Sequence, residues 1–181
     1  MPVITLLLFY ACIGRPISDI PMSIVNNENP YCSAFNLETD LKCPSVDNMI
    51  YQNWQELQNI SCYFIKTLEN TMNIKYVKSE DLALGDVTNG KSYGMIEIPA
   101  DFSLNLIDLL LNGPITKIST ENFINIRLDN SNSLISQEIH KTIFNGLQKS
   151  FKKILISCGF SHLSESFSNG MKFHIVQEEI S

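Results

Sequence analysis

The sequence is short of positive charge. Its 181 residues include 13 Lys and Arg against 19 Asp and Glu, which gives a formal net charge of −6. A nucleic-acid-binding surface needs a basic face, and the chain has neither a Lys/Arg run nor a basic patch interleaved with aromatic residues. The composition therefore argues against a nucleic-acid partner.

Long apolar runs are also missing. The uncharged run from Pro2 to Ile13 is too short to cross a bilayer, which takes about 20 residues. It also lacks the positive start of a signal peptide, because the first basic residue is Arg15. A lipoprotein interpretation of Cys12 is poor because two bulky aromatic residues precede Ala11. The run is interpreted either as a buried strand or helix or as the last turns of a membrane helix.

The sequence offers no recognisable metal or catalytic set. No C-x-x-C occurs, and the histidines His140, His162 and His174 have no finger-like spacing to a cysteine. Glu97 and Asp101 are close in sequence, but a strand followed by a turn or helix cap would separate their roles. No catalytic triad can be assembled, and the pattern favours a chain that is not an enzyme.

Cysteine usage favours an oxidising compartment. With Cys12 set aside, an even set of four remains, which allows three pairings: Cys32, Cys43, Cys62 and Cys158. Two disulfides, expected as Cys32–Cys43 and Cys62–Cys158, are favoured over buried free thiols. The sequon at Asn59 lies beside Cys62 and makes Asn59 a glycosylation candidate on a surface outside the cell.

Residues Gly85 to Ser92 read GDVTNGKS and match the P-loop formula G-x-x-x-x-G-K-[ST]. A P-loop follows a buried strand and opens a helix. Here the preceding residues predict a helix capped by Ser79, and the following residues predict a strand that ends at Pro99. We therefore interpret Gly85, Gly90, Lys91 and Ser92 as a chance match with no bound cofactor. Ser92 also lacks the strand-to-helix elbow of an exposed nucleophile.

The remaining periodicity predicts an α/β or α+β fold: a single layer of about four mostly mixed strands covered by helices. The predicted strands are Pro21 to Glu28, Lys75 to Ser79, Tyr93 to Pro99 and Asn122 to Asp129. The predicted helices begin near Ser45, Ser61, Glu80, Ser103 and Ser133. The last, running to Cys158, is a long C-terminal amphipathic helix whose polar face is interpreted as solvated.

Two stretches support a resemblance to a known family. Val87 to Leu106, VTNGKSYGMIEIPADFSLNL, resembles a segment of type-2 ABC exporter membrane subunits. Phe9 to Glu28 resembles the end of such a subunit's first membrane helix and its first external strand, and the cysteine order is similar. Within the family, the sequence is most similar to the H subfamily of arthropod half-transporters, relatives of the G-type lipid exporters. The residues that carry the motif are Gly90, Lys91, Gly94, Ile98, Pro99, Phe102 and Ser103.

The resemblance implies an external domain between the first two membrane helices of one transporter half. Residues 1–14 would end the first membrane helix, 15–160 would form the extracellular domain, and 161–181 would connect toward the second helix. The implied setting is the extracellular side of the plasma membrane, in a homo- or heterodimer that exports lipid or another hydrophobic substrate. ATP and Mg would bind a separate cytoplasmic domain, since the chain has no Leu-Ser-Gly-Gly signature. Alternatives are a secreted disulfide-linked binding module and a small P-loop phosphotransferase.

Overall fold

The computed structural model describes residues 19–32, 59–112, 124–129, 131–159 and 176–180. Structural statements below concern these ranges. The predicted segment 1–14, the helix expected after Ser45, and Cys12, Cys43, His162 and His174 lie outside them.

Strands and helices alternate along most of the chain. In order they are β1 Ile20–Asn26, α1 Ile60–Leu68, β2 Met72–Tyr76, α2 Glu80–Thr88, β3 Gly94–Ile98, α3 Phe102–Asn112, β4 Asn125–Asp129, α4 Ser133–Ser157 and β5 Val176–Ile180. This confirms the predicted α/β class and the long C-terminal helix. The side chain of Asn132 caps that helix by accepting the backbone N–H groups of Leu134 and Ile135.

The strands form one mixed sheet in the order β2-β1-β3-β4-β5. β1 is parallel to both of its neighbours, β4 is antiparallel to β3, and β5 is parallel to β4. The first crossover runs from β1 outward to β2, and the second runs back across β1 to β3. Because parallel crossovers share one hand, successive crossovers in opposite directions place their helices on opposite faces. α1 and α2 therefore cover different sides of the sheet.

Alternate residues of the strands feed two cores. The larger core joins one face of the sheet to α1, α3 and α4, with Ile24, Ile96 and Ile126 in register and fully buried beneath Phe64 and Phe151. The smaller core lies under α2 and contains Val25, Ala83, Val87 and Met95. Since β-strand side chains alternate between faces, β3 contributes Met95 to one core and Ile96 to the other.

Several element boundaries differ from the sequence-based expectation. β2 begins at Met72 rather than Lys75. The sequence spacing predicts that Leu104 and Ile107 share the buried face of α3. Ile107 is buried as predicted, but Leu104 is 53% exposed, and Phe102 and Leu106 are buried in its place. α3 begins at Phe102, one residue before the predicted start at Ser103. Phe102 is therefore the first residue of its buried apolar face.

The last strand extends the sheet beyond the predicted domain boundary. The expected connector, 161–181, contains Val176–Ile180, which pairs along its length with Asn125–Asp129 as β5. Two glutamates interrupt the apolar pattern of β5, which left the strand without a clear signal in the sequence.

Within the described residues, none of the helices has the combination of length and low charge that crossing a bilayer requires.

Candidate functional site

The parallel strands give the sheet two distinct edges. We call the end at which β1, β2 and β3 finish the carboxyl edge, and the end at which they begin the amino edge. From β1 the chain leads by way of α1 to β2, whereas from β3 it leads by way of α3 to β4 on the other side. In open α/β sheets, ligands commonly bind outside the carboxyl ends of the strands. The carboxyl edge between β1 and β3 is thus the first place to look for a site.

The carboxylate of Glu28 lies at this edge between the N-termini of α1 and α3. Its Oε1 accepts the backbone N–H of Ser103 at 2.8 Å, and its Oε2 accepts the backbone N–H of Ser61 at 3.3 Å. Ser61 and Ser103 are the second residues of α1 and α3, so one carboxylate serves two helix N-termini. Such N-termini attract anions because their N–H groups are unpaired and the helix dipole is positive there. Glu28 fills the position that an anionic ligand would take.

The hydroxyl of Ser103 connects the same two helices a second time. Its Oγ accepts the backbone N–H of Ile60 at 3.1 Å. Ile60 and Ser103 are both buried, so this hydrogen bond is shielded from water and satisfies another orphan N–H of α1. α1 and α3 are thus held side by side at the carboxyl edge.

Asn26, the last residue of β1, organises the loop that carries Glu28. Its Nδ2 donates to Ser61 Oγ and to Cys32 Sγ, each at 3.0 Å. Its Oδ1 accepts the backbone N–H of Glu28 at 3.1 Å and of Asn29 at 3.3 Å. An amide side chain has two donors and two acceptor lone pairs, so the 7%-exposed Asn26 is fully satisfied.

A disulfide closes the same region. Cys32 and Cys62 are bonded, with their Cα atoms 4.9 Å apart, and both are fully buried. The expected pairs Cys32–Cys43 and Cys62–Cys158 are therefore wrong. Asn26 and Glu28 draw the start of α1 against the loop after β1, which makes Cys62 the neighbour of Cys32 despite a sequence separation of 30. Cys158, at the end of α4, is also disulfide-bonded, and Cys43 lies outside the described residues.

The GDVTNGKS segment adopts the predicted order of helix, turn and strand. Gly85 lies inside α2, and Gly90 turns the chain with φ +68°. The backbone N–H groups of Lys91 and Ser92 both donate to the carbonyl oxygen of Asp86, at 2.8 and 3.2 Å. A P-loop would direct such N–H groups at phosphate; here they finish a helix C-terminus. These residues lie at the amino edge.

A polar cluster lies under α2. Asp86 Oδ2 accepts a hydrogen bond from Lys75 Nζ at 2.5 Å and a longer one from Ser23 Oγ at 3.4 Å. The hydrogen bond from Lys75 is the main reason that the pKa of Asp86 is lowered; burial opposes it, and the charges of Lys75 and Lys91 and the Ser23 bond add to it. The Ser92 hydroxyl lies 3.1 Å from that of Ser23. The cluster joins α2 to the sheet and provides no general base for Ser92.

Three other candidate residues, Glu97, Asp101 and His140, lie on different elements. Glu97 accepts from Nδ2 of Asn27 at 3.1 Å and of Asn125 at 3.2 Å, while Asp101 lies in an exposed turn. His140 is half-buried on α4. The ranges described above contain no group of three or more metal-ligating side chains.

The sequon residue Asn59 is the N-cap residue of α1, with φ 72°, a left-handed conformation that Asn tolerates. Its Oδ1 accepts from Asn29 Nδ2 at 2.7 Å. The sequon's hydroxyl residue, Ser61, is fully buried. Asn59 thus lies at the carboxyl edge, beside the Glu28 loop.

The residues of the family motif fall on both edges. Gly94 opens β3, where an added Cβ would come within 2.7 Å of the Arg127 carbonyl oxygen. Ile98 and Phe102 are fully buried in the larger core, and Pro99 accepts the N–H of Phe102 at 3.3 Å. Together with Ser103, these residues define how the chain leaves β3 and begins α3.

Sequence reasoning missed the two residues on which the carboxyl edge depends. Asn26 and Glu28 form the polar end of the predicted strand Pro21 to Glu28, and nothing in the local sequence indicates their long-range contacts with Ser61 and Ser103. Asp86 and Lys75 were missed for a different reason: no sequence spacing pairs a helix residue with a strand residue across a turn.

Comparisons with known proteins agree on one family. The sequence matches the ABC-2 family of transporter proteins over residues 1–174. No curated protein shows a significant sequence match. Among solved structures, the chain is similar to a crystal structure from Thermotoga maritima MSB8 described as a domain of an ABC type-2 transporter, with 16% identity, 88% of this chain and 85% of the other covered, and a TM-score of 0.50. At that identity the likeness concerns the fold. The family match spans nearly the whole sequence, and the chain therefore belongs to the ABC-2 transporter family.

Proposed function

We propose that this chain forms the external domain of an ABC-2 exporter's membrane subunit and is placed between that subunit's first two membrane helices. Membership of the family assigns the chain to the membrane component rather than to the ATPase cassette. The single observation that carries the proposal is the family match over residues 1–174. It includes both the apolar residues at the start and strands β1 to β4.

The disulfides support an external location. Cys32 and Cys62 are bonded to each other and Cys158 is also oxidised, so every cysteine in the described ranges is part of a disulfide. Disulfides persist in oxidising compartments and are rare in the cytosol. The bond between Cys32 and Cys62 also locks the carboxyl edge, as expected for a domain that folds outside the cell.

The carboxyl edge supports a structural rather than a catalytic role. Glu28 lies between the N-termini of α1 and α3 there, and its carboxylate accepts hydrogen bonds from both. ATP and Mg²⁺ then bind a separate cytoplasmic cassette, and this domain contributes a rigid cap over the translocation path. It works in a dimer with a second transporter half.

The substrate class rests on the resemblance of the sequence to the H subfamily of half-transporters, which are relatives of the G-type lipid exporters. We assign lipid, or another hydrophobic molecule, as the exported compound. The location is the extracellular side of the plasma membrane.

The proposal is tested by transport. The protein is expressed from its complete reading frame, together with any ATPase partner, and reconstituted into vesicles that contain a fluorescent short-chain phospholipid. We expect ATP-dependent movement of the lipid between leaflets that vanadate abolishes. Purified protein that neither partitions into membranes nor associates with an ATPase would contradict the proposed role in an exporter's membrane subunit. ATP-driven export of a polar solute alone would contradict only the substrate class.

A further inference from the structure

Both described ends of the sheet lie at the amino edge. Ile20 begins β1 and pairs with Met72, the first residue of β2. Ile180 ends β5 and pairs with Asp129, the last residue of β4. Because β4 is antiparallel to β3, its end lies beside the start of β3, and the Asp129 N–H donates to the Tyr93 carbonyl at 2.9 Å. The chain thus enters β1 and leaves β5 at the same edge of the sheet.

We infer that the amino edge rests on the lipid headgroup layer and that Leu134 and Tyr93 contact it. The inference deepens the proposed function and rests on it, because it requires the chain before β1 and after β5 to lead to membrane helices. β1 has seven residues, which at about 3.3 Å each separate the two edges by roughly 20 Å. The carboxyl edge, with Glu28 and the disulfide, then faces away from the membrane.

Side chains at the amino edge fit a lipid surface. Leu134, in the first turn of α4, is 73% exposed, and Tyr93, just before β3, is 38% exposed. Tyrosine is enriched where membranes meet water because its ring is apolar and its hydroxyl is polar. Lys91 is exposed on the turn beside Tyr93, where its ammonium can reach phosphate oxygens. The turn at residues 69–71, which joins α1 to β2 at this edge, is short. It therefore lets the edge approach the lipid headgroups closely.

The edge is not uniformly cationic. Asp19 is exposed and Asp129 is half-buried, and the Asp129 carboxylate accepts the backbone N–H of Ser131 at 2.9 Å. Attraction by net charge is therefore not the basis of the contact. The carboxyl edge also exposes apolar side chains, with Tyr31 at 78% and Leu104 at 53%. The two chain connections are therefore the feature that commits the amino edge to a lipid surface, and Leu134 and Tyr93 are the exposed side chains placed to contact it.

The chain offers a matched pair of probes for this arrangement. Leu134 and Leu104 are both exposed leucines in the first turn of a helix, at 73% and 53% exposure. Leu134 follows β4 at the amino edge, whereas Leu104 follows β3 at the carboxyl edge. Leu134→Cys and Leu104→Cys replace equivalent exposed side chains and leave the five native cysteines in place. The unsubstituted chain, labelled in parallel, gives the background from native thiols.

The experiment measures lipid proximity on the protein from its complete reading frame, reconstituted in phosphatidylcholine vesicles. Each introduced thiol carries bimane, and a fraction of the lipids carries a nitroxide quencher on the headgroup. We expect the Leu134→Cys label to lose most of its fluorescence and the Leu104→Cys label to lose little. Equal quenching, stronger quenching of the Leu104→Cys label, or no quenching of either would overturn the inference.

A parallel measurement separates this inference from the proposed function. In intact cells, a membrane-impermeant maleimide should modify the Leu104→Cys thiol from outside. If it does while the quenching result fails, the external location stands and only the orientation is wrong. If neither thiol reacts until the cells are permeabilised, the external location itself is wrong. The Tyr93→Ser variant provides a second readout, because it removes one of the two proposed membrane contacts. We expect that a higher fraction of quencher lipid is then needed to halve the bimane fluorescence of the Leu134→Cys label.

Discussion

The Oε1 atom of Glu28 lies 2.8 Å from the backbone nitrogen of Ser103, a residue 75 positions later in the chain. The other oxygen of the same carboxylate accepts the N–H of Ser61. One side chain therefore caps two helices that lie side by side on the same face of the sheet. The protein's own carboxylate occupies the position between two helix N-termini that an anionic ligand would take.

Removing this carboxylate should destabilise the fold. A lost N-cap typically costs 0.5–2 kcal/mol, so Glu28→Ala, which removes two, should lower the unfolding free energy by about 2–3 kcal/mol. Glu28→Gln should lose roughly half of that because one oxygen remains to accept an N–H. Urea unfolding measures the difference. Glu138 provides a matched control on the surface of α4, where its Oε2 lies 3.7 Å from Lys141 Nζ. Glu138→Gln should change the unfolding free energy by less than about 0.5 kcal/mol.

A small anion tests whether Glu28 acts as an internal ligand. Sodium formate should raise the unfolding midpoint of Glu28→Ala more than sodium chloride at the same ionic strength, and should leave the unsubstituted chain unaffected. An equal response to the two salts would show that the truncated site does not bind an anion. Unchanged stability of Glu28→Ala would remove the double-cap account altogether.

Two glycines near the P-loop-like segment should respond oppositely to alanine. Gly85 lies inside α2 with no atom close to an added Cβ, so Gly85→Ala should stabilise the chain by about 0.5–1 kcal/mol. Gly94→Ala should destabilise it by about 1–3 kcal/mol, because the Arg127 carbonyl lies 2.7 Å from the added Cβ. Thermal unfolding measures both. A destabilising Gly85→Ala, or an ATP–Mg²⁺-dependent rise in Tm that Lys91→Ala abolishes, would favour a phosphate-binding loop.

Acid stability should depend on Asp86. Its pKa is lowered in the folded state, chiefly by the hydrogen bond from Lys75, so the unfolded chain binds this proton first as the pH falls. The contribution is fully present above the unfolded pKa, about 3.9, and is lost as the pH falls through the lower folded value. Asp86→Asn should be less stable at pH 7 and should lose less stability between about pH 5 and pH 3. Parallel acid profiles for the two chains would contradict the assignment.

Glycosylation at Asn59 would have to precede folding. In the folded domain Ser61 lies in α1, and its hydroxyl is fully buried and accepts a hydrogen bond from Asn26. The folded sequon is therefore not accessible to the glycosylating enzyme. We predict a glycosidase-sensitive mobility shift in protein made in the oxidising secretory pathway. Asn59→Asp should abolish it while keeping the oxygen that accepts from Asn29. A shift that persists in this variant would place the glycan elsewhere, and the absence of any shift would remove the glycoprotein prediction.

Local patterns were enough to predict much of the fold. The turn at Gly90 between a helix and a strand, the buried alternation of β3, and the long apolar stripe of α4 are all visible in neighbouring residues. Leu104 shows the limit of such patterns. It fitted an apolar stripe by spacing, but the position of α3 on the sheet turned it toward solvent.

The candidate site was harder to predict because its contacts are long-range. Glu28 meets Ser61 and Ser103 only after both helices have docked. The pairing of Cys32 with Cys62 depends on the same docking, whereas the expected pairing with Cys43 followed sequence proximity. Cysteine count correctly indicated disulfides, but their connectivity cannot be read from spacing.

The central claim, that this domain lies outside the cell, is tested most directly by thiol labelling at Leu82. This residue is 59% exposed on α2, which covers the opposite face of the sheet from α1 and α3. With Leu82→Cys in the protein expressed from its complete reading frame, and the unsubstituted protein as background, an impermeant biotin-maleimide is applied to intact cells and to permeabilised cells. The account predicts full labelling in intact cells with no gain on permeabilisation; labelling that requires permeabilisation would contradict it.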